Sequence, residues 1–224
     1  MASIYSGDKT KRITAVHAWW PGGLVLGGLA AIAISQITAS WPVRLWIILI
    51  PAATYFVMAV SLSYPQTERV MSNVPASDMW KEAARPLFLL LFVCMWMTAA
   101  AELGPDQWFP VVMGALVPQL SPAAGSGVLF LVYTGGLMFV LRVWGGSLTH
   151  KSPLGTLVLS SIFVAIGLYW LGGLRPGASA LTALTAATVF GIGKTFLWPT
   201  MIGVTASCFR AAARCCSRSW AAPA

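Results

Sequence analysis

The stretch VFGIGKTFLWPT, Val189 to Thr200, decides how this chain is read. Gly-Lys-Thr is the ending of a phosphate-binding loop, and counting tests that reading. Such a loop needs a glycine five positions before its last one, where this chain has Thr188, and a strand leading in, where the flanks here are long and apolar. The alternative is a lysine in the middle of a membrane span. Thirteen residues separate Lys194 from Leu181 and thirteen more from Ser207. Its ammonium therefore stands near the bilayer centre, where insertion costs about 2.5–3.5 kcal/mol. A lysine stem is short for snorkelling from there, so Lys194 should face a partner or water and is a candidate functional residue.

Composition extends this reading to the whole chain. With 224 residues, 58% of them hydrophobic and 9% charged, and a mean hydropathy of +0.77, a soluble domain is excluded. A helix rising about 1.5 Å per residue crosses a hydrocarbon core of about 30 Å in roughly 20 residues. Six such runs are present: Ile13 to Ser35, Trp41 to Ser63, Pro86 to about Met113, Gly127 to Val143, Leu154 to Leu174, and Leu181 to Ala206. The expected fold is an all-α, multi-pass membrane protein with six transmembrane helices. A barrel would show short alternating strands instead. The opening MASIYSGDKTKR is polar and lacks the pattern of a secretory signal peptide.

Lys and Arg collect in cytoplasmic loops. Apart from Lys194, eleven basic residues fall on one side of these spans: Lys9, Lys11, Arg12, Arg69, Lys81, Arg85, Arg142, Lys151, Arg210, Arg214 and Arg218. Arg44 and Arg175 fall on the other, which puts both termini in the cytoplasm. The net charge of +8 is then topology, and no nucleic-acid partner is expected. Cys94 lies within the third span and Cys208, Cys215 and Cys216 on the cytoplasmic side, so no disulfide framework is implied. Trp41, Trp46, Trp144 and Trp170 fall near span ends, where an interfacial belt accounts for them.

The third span holds a second anomaly, MTAAAELGPDQWFP, with Glu102, Gly104, Pro105, Asp106 and Gln107. A continuous helix is not expected through Gly-Pro. Either the helix breaks inside the membrane, as at transporter binding sites, or it ends near Ala101 and an outer loop follows. Seventeen residues from Arg85, Glu102 lies roughly 25 Å from the cytoplasmic end. Glu102 and Lys194 have opposite charges and comparable depths, and are expected to pair in a cavity, one of them serving as a protonation switch. Gly22, Gly23, Gly27 and Gly28 in the first span, with Gly135 and Gly136 in the fourth, suit close helix packing. Pro51 and Pro199 are expected kinks.

Four motifs carry a family resemblance: HAWWPGGLVLGG from His17, AELGPDQW around Glu102, LRVWGGSLTHKSPLG around Arg142, and GIGKTFLWPT around Lys194. In order and placement they resemble major facilitator superfamily transporters, in the fucose and glucose permease-like branch. His17, Ala18, Trp19, Gly22 and Gly23 match the opening of that branch's fifth helix, and Glu102 matches a glutamate near a break in the seventh. The segment from Arg142 to Pro153 resembles the short basic turn between helices eight and nine, without the acidic residue of the usual loop motif. The resemblance covers helices five to ten of twelve, a partial fold. It divides the chain into residues 1–63, the last two helices of the N-terminal half; 64–85, a central cytoplasmic linker; 86–206, the first four helices of the C-terminal half; and a tail, 207–224.

That tail, SCFRAAARCCSRSWAAPA, shifts abruptly in composition. If its codons end in G or C, regrouping the bases from Phe209 onward reads Pro, Arg, Gly, Gly, Ala, Leu, Leu, Leu, Ala, Leu, Val, a membrane span. A frameshift near Ser207 or Cys208 is therefore expected, with a non-native, disordered tail. The competing reading is a genuine basic tail on the anionic leaflet.

The resemblance implies a truncated secondary transporter, multi-pass in a plasma membrane, the bacterial inner membrane. It would carry a sugar-like or other small polar solute by alternating access, as a proton symporter, with the lipid bilayer its other partner. The candidate binding or coupling residues are Glu102, Gln107, Trp108, Lys194 and Trp198. His17, Trp19 and Arg142 are placed at a gate or mouth. No cofactor and no metal is expected, and no enzyme: the two histidines, His17 and His150, form neither a metal cluster nor a nucleophile–base pair at recognisable spacing. The alternatives are a non-transporting structural or assembly subunit, or an inactive gene fragment. Uptake by this chain alone is not expected.

Overall fold

A computed structural model of the chain describes residues 9–38, 40–64, 66, 75–118 and 126–220, and all the regular structure among them is helical. The elements are α1 (Lys9–Ile37), α2 (Trp41–Trp46), α3 (Leu49–Ser61), α4 (Ala76–Ala83), α5 (Pro86–Leu116), α6 (Ser126–Lys151), α7 (Pro153–Gly172) and α8 (Ala180–Trp220). Six spans are long and apolar enough to cross a membrane: Ala15–Ile37, Trp41–Ser61, Pro86–Leu116, Gly127–Gly145, Pro153–Gly172 and Ala180–Ala206. The chain is a multi-pass, all-α membrane protein. Its long helices begin where backbone chemistry favours it: Pro86 and Pro153 take first-turn positions, where a missing N–H costs nothing.

Burial runs opposite to a soluble bundle. On α5 the buried stripe is Thr98, Glu102, Asp106, Phe109 and Met113, while Leu90, Trp96, Met97 and Val111 on its other faces are exposed. On α7 the buried stripe is Thr156, Ser160, Val164, Gly167 and Leu171. Both stripes follow the spacing of one helical face. Polar groups turn inward and apolar ones outward because lipid can satisfy only the latter. Some hydroxyls facing inward bond their own helix, as Thr98 does to the Cys94 carbonyl and Thr195 to the Gly191 carbonyl.

The bundle centre is α8, which packs chiefly on α7 and also on α5, α6 and α1; α1 in turn lies along α6. Two glycines set the α7–α8 distance. A Cβ on Gly167 would stand 2.5 Å from the Phe190 backbone, and one on Gly193 would stand 2.5 Å from the Val164 nitrogen. Gly193 of the lookalike phosphate loop is thus a packing surface. Along α1, Gly22 and Gly28 face side chains of α6, whereas Gly23 and Gly27 meet nothing nearby. Between α7 and α8, Gly177 takes a φ of +85° and its N–H donates to the Leu116 carbonyl at the end of α5. That bond ties the loop to a helix end whose carbonyls need donors.

Several expectations change here. The third span does not break: α5 is continuous through Gly104 and Pro105 to Leu116. In lipid a break would strand several backbone groups, whereas a helix through Pro105 and Pro110 leaves only the Ala101 and Asp106 carbonyls without their regular donors. The segment from Arg142 to Lys151 is helix, not a turn, and Arg142 lies inside the span Gly127–Gly145, so without it ten basic residues stand against two. The second span is interrupted at Ile47 and Ile48, one turn before Pro51, and no residue of α2 or α3 is buried. Within the expected linker, α4 is helical; Glu68 and Arg69 lie outside the described residues, as do the side chains of Asp78 and Glu82. The α8 backbone stays helical through Trp220, across the tail expected to be disordered, and the side chains beyond residue 206 lie outside the described residues.

Candidate functional site

The site begins with a spacing on α5. Glu102 and Asp106 are four residues apart and so share one helical face, which points into the bundle. Each meets a cation from a different helix. Arg142 of α6 donates from Nη2 to Glu102 Oε1 at 2.9 Å, and Lys194 of α8 donates from Nζ to Asp106 Oδ1. Arg142 is 2% exposed, Glu102 3% and Lys194 0%. Charges this deep are tolerable only when paired and hydrogen-bonded.

Arg142 does more than neutralise Glu102. Its Nε donates to the Thr195 carbonyl at 2.7 Å and its Nη1 to the His17 carbonyl at 3.1 Å. Both carbonyls are special for one reason. In an α-helix the carbonyl of residue i accepts from the N–H of residue i+4. Four residues after His17 stands Pro21, and four after Thr195 stands Pro199. Proline has no N–H, so each carbonyl lacks its regular donor, and one guanidinium supplies both. Arg142 therefore joins α1, α5 and α8 to its own helix at two proline sites.

Lys194 is held differently. Its Nζ lies 5.1 Å from the Phe190 ring centroid and 5.9 Å from that of Phe109, and these two rings pack edge to face at 5.6 Å. Cation–π attraction adds to the Asp106 bond in a desolvated setting. The pair is sealed by carboxylate and aromatic faces.

Beside the Arg142–Glu102 pair is a cavity of about 220 Å³ lined by His17, Trp20, Glu102, Leu103, Arg142 and Trp198. Its walls come from α1, α5, α6 and α8. Glu102 Oε2 is buried and has no hydrogen-bond partner. Among the described residues no three His, Cys, Asp or Glu side chains gather where they could hold a metal ion.

The sequence candidates distribute unevenly over this geometry. Glu102, Arg142, Trp198 and His17 line the cavity, and Lys194 lies behind it on Asp106. The expected Glu102–Lys194 ion pair does not form: Glu102 bonds Arg142, and Lys194 bonds Asp106. Gln107 and Trp108 are exposed. At 100° per residue they lie about 140° and 120° to either side of Glu102, away from the bundle. Trp19 is exposed and packs edge to face on Phe139, 5.6 Å between centroids. Arg142 is the centre of the site and not a loop residue at its mouth.

Asp106 and Trp20 were missed as site residues. Asp106 carried a usable signal, its i, i+4 spacing from Glu102, which the expected break at Gly104–Pro105 masked. Compared with family models, curated proteins and solved structures, the chain matches none.

Proposed function

We propose that this chain acts in secondary transport of a small polar, sugar-like solute across the membrane by alternating access, coupled to protons. One observation carries the reading. A cavity lined by side chains of four membrane helices has a buried, charge-balanced Glu102–Arg142 pair in its wall, with one carboxylate oxygen left unbonded. Buried ionisable groups are expensive inside a membrane, and solute or proton pathways are where such groups are found. Trp20 and Trp198 add ring faces that suit the apolar face of a sugar. Glu102 is the acid assigned to proton coupling, and the resemblance to the major facilitator superfamily agrees with this assignment without being its basis.

Uptake of labelled D-glucose into proteoliposomes holding the full chain, with and without a proton gradient, tests the proposal. Gradient-driven accumulation that loses its pH dependence in Glu102→Gln is the expected result, a change from the sequence expectation of no uptake by this chain alone, because four helices of this chain already line the cavity. Unchanged transport at every pH would remove Glu102 from coupling. A second reading, a non-transporting assembly subunit, is favoured by the span from Trp41 to Ser61, none of whose residues is buried. No uptake, together with stable association with another membrane protein, would favour it.

A further inference from the structure

Glu102 is unusual even among buried carboxylates. It is 3% exposed, its Oε1 is bonded to Arg142, and its Oε2 is buried without a partner, while the residue lines a cavity large enough for a small molecule. An unpaired acceptor this deep costs about 1–3 kcal/mol, a cost that a donor in the cavity would remove. Arg142 borders the same cavity. A guanidinium has five N–H groups, and three are engaged by Thr195, His17 and Glu102. One wall thus holds a residue with an unbonded acceptor beside a residue with unengaged donors.

The charges around this wall are balanced. Glu102 and Asp106 are matched by Arg142 and Lys194, all four buried. An added solute charge would have no buried counter-charge, and uncompensated charge is what such an interior tolerates least.

Resting on the transport reading above, we propose that Glu102 and Arg142 are the specificity pair of this cavity. Glu102 Oε2 accepts a hydrogen bond from a solute hydroxyl or amide, Arg142 donates to a neighbouring solute oxygen, and neutral solutes are selected over charged ones. Trp20 and Trp198 flank the ring or apolar face of the same solute. The preference for neutrality is tied to the pair, so removing one of its charges should weaken it.

The test is equilibrium binding of three tritiated probes, D-glucose, D-glucosamine and D-glucuronate, to the full chain in lipid nanodiscs by scintillation proximity. The neutral probe is expected to bind at least about tenfold more tightly than either charged one. Glu102→Gln keeps an oxygen for Arg142 but removes the negative charge, and should shift the preference toward D-glucuronate by about tenfold. A charged probe preferred by the unmodified chain, an unchanged ratio of D-glucose to D-glucuronate affinity in Glu102→Gln, or no binding of any probe overturns the proposal. If Glu102→Gln is not recovered folded by size exclusion, the ranking for the unmodified chain decides alone. Uptake on matched proteoliposomes separates this inference from the reading it rests on. Charge-blind binding with uptake sinks the specificity pair alone, and charge-selective binding without uptake sinks the transport reading alone.

Discussion

Two ion pairs lie one helical turn apart on the same face of α5, and they are built for different tasks. Lys194–Asp106 is closed: its ammonium is fully buried, flanked by the Phe109 and Phe190 rings, and no part of it lines the cavity beside Glu102. Arg142–Glu102 is open: both residues line that cavity, one carboxylate oxygen is unbonded, and the guanidinium also supports two backbone carbonyls. The closed pair is self-contained, so its energetics should be those of two charges and the rings that flank them. The open pair is spliced into the backbone of two other helices and cannot be removed as a unit.

The largest effect should come from halving the closed pair. Lys194→Met leaves Asp106 buried without a counter-charge, an expected loss of about 3–5 kcal/mol. Adding Asp106→Leu should recover most of it, since an apolar replacement of a whole buried pair is often neutral. Unfolding in detergent followed by helical circular dichroism measures both. A double variant as unstable as Lys194→Met would mean that the pair has obligations beyond itself.

The same manoeuvre on the open pair should fail. In Glu102→Leu with Arg142→Met the charges again leave together, but the His17 and Thr195 carbonyls lose their donor. Two such acceptors keep the double variant about 2–3 kcal/mol below the unmodified chain. Full recovery, measured in the same unfolding experiment, would erase the distinction between the pairs.

How much of this was legible beforehand depends on which physical signal each feature leaves in sequence. Hydropathy is a property of whole segments, so all six spans could be located within a few residues. Lys194 was legible because a charge at mid-span is anomalous whatever surrounds it. Its partner was not, because pairing depends on rotation between helices: Glu102 and Asp106 both stood at usable depth, and only packing put Asp106 against Lys194. Arg142 was misplaced because a basic residue near the end of an apolar run reads as a loop; the apolar window ends at Gly145, but the helix runs on to Lys151. The Gly-Pro of α5 misled because proline's local cost was weighed without the larger cost of a broken backbone in lipid. The alignment of two proline-freed carbonyls on one guanidinium is a three-helix coincidence that spacing within one helix does not reveal.

The finest test of the comparison uses that coincidence. Pro199→Ala gives residue 199 an N–H, and the Thr195 carbonyl regains its regular donor. Alone, the substitution should move stability by no more than about 1 kcal/mol, because one donor is exchanged for another. Its value lies in what it does to other substitutions. With Thr195 supplied from its own helix, the cost of Arg142→Met should fall by about 1 kcal/mol, the worth of one charge-assisted bond made redundant. The cost of Lys194→Met, whose pair leans on no proline-freed carbonyl, should stay the same in both backgrounds. Coupling to Arg142 with none to Lys194 would show that the open pair is tied to the backbone of α8 and the closed pair is not. Equal coupling to both would mean that Pro199 acts by reshaping α8 as a whole, and the carbonyl account would be wrong.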